Sequence, residues 1–436
     1  MLPAISAPCA SGSNEATTTQ IFNDQRTRTA EVIPDEILVA DDSEVVQYRG
    51  VRAAMRCVVI GAGAWGLPAA AELARRGHRV TLVDRYGPLN PESSSSGPTR
   101  LWRIADPDPA RVRMALRGIE SMKRLAERSR ATVFLERGLL WRDDESLPDL
   151  IATMQRFDVD HTVVDDGDVA MYFPGLRPDG RGAVWQPAAG IVLAEESLRA
   201  QMRLFLASGG IESYGRTVVG VDAQGNGVRV QFGDHTVEDA DVVVVAAGPG
   251  TPRLLESIGV HLPLHPYLEQ TVHFGDPENP GATDDYPCLF DGPQGDTPGI
   301  YAMPSPGIGY KIGLDLPLRP YDDADPDRTP DVARTALLRD RVERDLTSVE
   351  STVLGAHVCS WTDSPDGRFV IDALPDGVVL ACGDSGEGFK YSALMGEVLA
   401  DLAEGRAADP DVAAMSMARF DEGLPVRTGP HALGRH

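Results

Sequence analysis

Residues 57–66, Cys-Val-Val-Ile-Gly-Ala-Gly-Ala-Trp-Gly, place the strongest constraint on what this chain can fold into. A short apolar strand runs into G-x-G-x-x-G, and a helical pattern over about 66–76 follows, ended by Gly77. Val80 to Val83 reads as a second strand, closed by Asp84, 23 residues after Gly61. This is the opening of a βαβ unit. Gly61 permits the tight turn, Gly63 lets backbone approach a pyrophosphate, and Gly66 lets helix and strand close. The helix N-terminus offers N–H groups to phosphates, and Asp84 can accept hydrogen bonds from a ribose. A lone G-x-G-x-x-G also fits a structural turn. Strand, helix and acidic residue together point to a bound dinucleotide, without separating NAD from FAD.

At 436 residues the chain is long enough for two interleaved or consecutive domains. Its formal charge of -24 argues against nucleic acid as a partner, because that affinity comes from Lys and Arg neutralising phosphates. Cys9, Cys57, Cys288, Cys359 and Cys382 form no C-x-x-C pair, so neither a disulfide framework nor a metal site is indicated. That pattern fits a reducing compartment, with the cytoplasm as the default. No apolar run approaches about 18 residues, the length a membrane span needs; Val242 to Gly248 is the length of a buried strand. Residues 1–54 lack apolar periodicity and read as an N-terminal extension, with Met55 as an alternative start.

Further along, Leu198, Met202, Phe205 and Leu206 recur at helical spacing over 195–208, stopped by Gly209-Gly210. Strands follow at 216–222, 227–232 and 241–247. The stretch 261–320, proline-rich with alternating pieces such as Tyr310-Lys311-Ile312-Gly313-Leu314, reads as a separate substrate domain. Val378 to Ala381 then forms a strand, Gly383 to Gly388 a second Gly-rich turn, and a helix runs from near Phe389 to about Glu404. A nicotinamide dehydrogenase would not need that second turn; a flavoprotein can set a late helix N-terminus against the isoalloxazine.

Four blocks together resemble the monomeric sarcosine oxidase family of the D-amino-acid-oxidase-like flavoproteins, over about Cys57 to Glu404. They are Val59 to Gly66 with Leu82-Val83-Asp84; Ser96-Gly97-Pro98-Thr99-Arg100-Leu101-Trp102-Arg103; Val358-Cys359-Ser360-Trp361-Thr362 leading to Phe369-Val370-Ile371-Asp372; and Gly383 to Lys390. The resemblance implies an α/β fold in which a Rossmann-like FAD-binding domain is interleaved with an α+β substrate domain on a mostly antiparallel sheet. FAD segments are expected at 55–136, 187–260 and 356–436, and substrate segments at 137–186 and 261–355. Cys359 matches the cysteine that carries FAD through a thioether to the flavin 8α carbon; taken alone it reads as an inert buried thiol. Gly61, Gly63, Gly66, Asp84, Thr99, Arg100, Gly248, Gly383, Gly386, Gly388 and Phe389 are the other expected cofactor contacts.

Arg103 and Lys390 match the pair that holds the substrate carboxylate, a planar fork beside a point charge, with Lys390 also beside the cofactor. Singly, each reads as a surface ion-pair residue. Lys311 matches the lysine that activates dioxygen, and Tyr301 a tyrosine near the substrate. Two positions depart from the family: Asp315 and Glu387 stand where sarcosine oxidases have histidine. Asp315 and the Arg-x-Trp-Arg run resemble the branch that oxidises cyclic imino acids. If the strand persists, Asp315 lies on the Lys311 face, toward the flavin cavity; the alternative is a plain ion pair, or a strand that ends first. The implied reaction is flavin-dependent oxidation of the C–N bond of a small secondary or cyclic amino or imino acid, giving an imine and hydrogen peroxide, in a monomer or homodimer. A dehydrogenase using another acceptor and a primary amino-acid oxidase are the alternatives.

Overall fold

The strand Arg56–Ile60 is buried on both faces after its first residue, as its Cys-Val-Val-Ile run requires, and it lies at the centre of a sheet. The structure, a computed structural model, describes residues 53–223, 225, 227–321, 327–421 and 423, so the extension expected over 1–54 lies outside them apart from its last two positions. Six strands form this sheet, in the order Val370–Leu374, Val378–Cys382, Val242–Val245, Arg56–Ile60, Arg79–Asp84 and Ile211–Tyr214. All neighbours run parallel except the Val370–Leu374 edge. Register is set by β-branched pairs such as Val59 with Val244, which suit a sheet covered on both sides. The helix Gly66–Arg75 covers one face and packs on Ala194–Ala207 and Ser392–Ala403.

A nine-stranded, mostly antiparallel sheet forms the second layer system. Its order is Arg319–Pro320, His265–Phe274, Gly309–Leu314, Ile300–Ser305, Cys288–Asp291, Leu139–Arg142, Ala183–Gln186 and Thr162–Val164, with Val353–Asp363 paired along His265–Phe274. The chain crosses between the two sheets repeatedly, so neither is built from one continuous segment. Val353–Asp363 runs through the 355/356 boundary expected from sequence and stays within the nine-stranded sheet. The last long helix begins at Ser392 rather than near Phe389, because Gly388–Tyr391 form a tighter 3₁₀ turn first. Among the described residues no helix is long and apolar enough to cross a membrane.

The one parallel pairing in the second sheet, Cys288–Asp291 beside Leu139–Arg142, brings Asp291 level with Arg142. Asp291 is fully buried and accepts from Arg142 Nε and Nη2 at 3.0 and 2.9 Å, and from Arg181 and Arg341 at 2.7 Å each. Three guanidinium groups thus converge on one carboxylate. Removing that charge strands buried cations, a loss of about 3–5 kcal/mol for a broken buried pair. Asp291→Asn is expected to lower stability by this order, read as a shifted urea midpoint with unchanged slope.

Candidate active site

The first glycine turn is shaped by contact with backbone. Gly61 has φ +107°, and a Cβ there would stand 2.2 Å from the Ala246 carbonyl oxygen; one at Gly66 would stand 1.9 Å from the Gly61 oxygen. These approaches let strand and helix close and open a cavity of about 520 Å³ above the turn. Asp84 first serves the turn: its carboxylate accepts from the Ala62, Tyr86 and Gly87 amides at 2.8, 2.8 and 2.7 Å. Gly61, Gly63, Asp84 and Gly248 line one end of the cavity. Gly386, Gly388, Phe389 and Lys390 line it too, from the late turn. A cavity that begins at a dinucleotide turn and continues past a second Gly-rich turn fits FAD.

Arg100 also lines the cavity. Its guanidinium lies 5.4 Å from the Phe389 ring centroid and donates to the carbonyls of Thr99, Ser94 and Ser96, so its positive charge has only neutral oxygens as partners. Lys311 comes from the buried strand Gly309–Leu314, and its ammonium donates to the Thr99 carbonyl. Burial, reinforced by repulsion from Arg100, pushes its pKa well below the ordinary lysine value. Beside it, His273 Nε2 and the Thr99 hydroxyl both meet the Ser305 hydroxyl, at 3.1 and 2.8 Å. Burial and the neighbouring Lys311 hold His273 down at about 3, so it stays neutral. Cys359 lines the cavity from Val353–Asp363; of the four described cysteines it alone is not buried. Burial raises its thiol, with Arg100 opposing.

The expected carboxylate pair is brought together, along with groups that the sequence reading missed. Arg103, fully buried, donates to Asp106 at 2.7 Å and to Glu387 at 2.8 Å, and its guanidinium lies 4.6 Å from the Trp141 ring centroid. Glu387 also accepts from Arg111 at 2.6 Å and lies 3.5 Å from Lys390 Nζ. An internal carboxylate therefore already engages the pair. Among the ion pairs of the described residues, three cations (Arg103, Arg111, Lys390) meet two anions (Asp106, Glu387), one cation more than anions while Lys390 is protonated. Burial and repulsion from Arg103 lower Lys390 to about 8, with Glu387 pulling the other way.

Four expected site residues do not line the cavity. Gly66 is pressed on Gly61, Gly383 faces Leu264 and Val370, and Thr99 is fully buried with its hydroxyl on Ser305. Asp315 is the fourth. The strand ends at Leu314, and over Gly313 the space is filled by Tyr301, whose ring would meet a Cβ there at 2.3 Å. Tyr301 itself lines the cavity. So does Glu269, which the sequence reading passed over; the polar residues Glu269, Thr271 and His273 at alternate positions were the available signal.

The profile of the FAD dependent oxidoreductase (DAO) family matches residues 56–402. The chain belongs to that family and is a FAD-dependent oxidoreductase. Within it the chain falls in the sarcosine oxidase group, as an amine oxidoreductase. The monomeric sarcosine oxidase of Streptomyces avermitilis is 29% identical over 362 residues, covering 79% of this chain and 92% of that protein. The human peroxisomal sarcosine oxidase is 25% identical over 381 residues, covering 83% and 95%. In fold, the open form of NikD, an unusual amino acid oxidase essential for nikkomycin biosynthesis, superposes with a TM-score of 0.74 at 24% identity, covering 87% of this chain and 99% of that one.

The Glu387 arrangement has a measurable consequence. Glu387→Gln removes the internal competitor, so acetate should bind the holoenzyme on the order of tenfold more tightly, the worth of a charge-assisted hydrogen bond. The variant should melt lower than the parent, and acetate should restore part of the loss because it binds only the folded state. Acetate binds protonated Lys390 and raises its pKa, so in the parent affinity should fall as pH rises through about 8, and in the variant, which lacks the Glu387 charge that holds Lys390 up, the fall should come at lower pH. Titration of the flavin absorbance and thermal melting check both.

Proposed function

We propose that the protein oxidises the C–N bond of a small secondary or cyclic amino or imino acid to the imine and passes the electrons to dioxygen, releasing hydrogen peroxide. One observation carries this reading: a single cavity joins the Gly61 turn to Arg103, Lys390, Tyr301, Lys311 and Cys359. Bound FAD supplies the hydride acceptor and the route of electrons to oxygen. The surplus positive charge at Arg103 and Lys390 holds the substrate carboxylate and turns its α-carbon toward the cofactor. The relatives' names, sarcosine oxidase and amino acid oxidase, favour a substrate of this size and charge.

Lys311, preorganised on the Thr99 carbonyl, stabilises negative charge developing on oxygen; a lysine with a depressed pKa takes up a proton when an anion forms beside it. Arg100 and Phe389 position the cofactor ring, and Cys359 anchors it covalently. The free cysteines suit a reducing, cytoplasmic setting.

Anaerobic bleaching of the flavin across a panel of N-methyl, cyclic and primary amino acids tests the reading. Bleaching by the secondary or cyclic members is expected, and on admitting air one hydrogen peroxide per amine oxidised. A flavin that no amine bleaches would remove the proposal, and turnover without peroxide would point to another acceptor. For the covalent link, acid-precipitated protein should keep its yellow colour in the pellet, and Cys359→Ala should release it to the supernatant. Colour retained in the Cys359→Ala pellet would put the attachment elsewhere.

A further inference from the structure

Glu269 lies on the strand His265–Phe274, level with Cys359 on the neighbouring Val353–Asp363 strand, and lines the cavity. It is 3% exposed, and among the described residues neither carboxyl oxygen has a hydrogen-bond partner. The nearest cation is Arg334, whose Nη2 is 3.7 Å away and donates instead to the Leu316 carbonyl. The Gln270 amide lies near without hydrogen-bond geometry. A carboxyl group this buried and this unsatisfied is costly, which makes it a strong acceptor for any donor that enters the cavity.

We infer that Glu269 binds the amino group of the substrate and takes its proton. This rests on the amine oxidation proposed above and adds the second anchor. Arg103 and Lys390 provide for the carboxylate of a zwitterion, and Glu269 for its ammonium. The proton balance is simple. An N–H bond of the ammonium breaks, an O–H bond forms on Glu269, and the amine nitrogen recovers its lone pair before its α C–H bond is oxidised. Burial, with Asp315 adding repulsion and Arg334 opposing, raises Glu269 to about 8, so the cavity favours the uncharged pair of carboxylic acid and free amine. Binding the ammonium form to the protonated enzyme releases the carboxyl proton to solvent, so charge is conserved.

The test compares amino acids with ether isosteres on the holoenzyme. N-methylglycine is paired with methoxyacetate and L-proline with tetrahydro-2-furoate; in each ether an oxygen replaces the nitrogen, so the carboxylate and shape remain while the ionisable N–H is lost. Dissociation constants come from the concentration dependence of anaerobic flavin reduction for the amino acids, and from flavin absorbance titration for the ethers. Glu269→Gln should weaken the amino acids on the order of tenfold, the upper loss expected for a hydrogen bond between uncharged groups, while the ethers keep their affinities. Glu269→Asp, which keeps the carboxyl, should recover part of the amino-acid affinity. Equal weakening of both members of a pair would make Glu269 a merely structural residue, and unchanged amino-acid binding would remove it from the site. If neither amino acid bleaches the wild-type flavin, the pair is drawn from a panel amine that does and its ether; a flavin that no amine bleaches would overturn the parent reading, and this inference with it.

Discussion

The indole of Trp65 donates to the carbonyl of Gly388 at 2.9 Å, and the Ser392 hydroxyl donates to the carbonyl of Ala64 at 2.6 Å. These two bonds tie the Gly-rich turn at the start of the described fold to the one near its end. The approach is tight: a Cβ at Gly388 would lie 2.7 Å from the Trp65 ring. Both turns therefore contribute to one cavity, the first shaping the dinucleotide end and the second delivering Glu387, Phe389 and Lys390. Loss of either glycine turn would misplace groups on the other.

Around that tie the protein keeps several charges out of water, and it does so in two ways. Asp291 and its three arginines pair with one another, remote from the cavity's lining, and they brace the second sheet. Along the cavity the charges are left out of balance. The Arg103 cluster has a cation in surplus, Arg100 has only carbonyls, and Glu269 has no donor. Imbalance of this sort destabilises a folded chain unless a ligand completes it. Its concentration at one cavity ties the fold's electrostatics to the proposed chemistry.

Glu387, where the family resemblance implies a histidine, then has a physical meaning. A neutral imidazole would leave Arg103 and Lys390 to an incoming carboxylate, whereas Glu387 engages them from within and brings Arg111 into the same network. The internal anion moderates an otherwise large positive field. It also keeps Arg103 in a fixed orientation between Asp106 and the Trp141 ring.

What the sequence by itself determined was local and periodic. The strand–turn–helix at 57–75, the helix Ala194–Ala207, the late Gly-rich turn and the family blocks were legible because turn glycines and apolar spacing act within a few residues. Arg103, Lys390, Lys311 and Cys359 were named only through the family resemblance of the blocks that carry them. Which of them meet was decided by tertiary structure alone. Asp315 looked cavity-facing by strand parity, yet the strand ends at Leu314 and Tyr301 fills the space over Gly313 from a neighbouring strand. Glu269 drew no notice in the sequence, and only the fold shows it buried without a hydrogen-bond partner among the described residues. Arg111 and Asp106 gained their roles only when Glu387, far along the chain, folded against them. Desolvation and pairing depend on what other segments bring to a point in space, and sequence spacing carries no record of that.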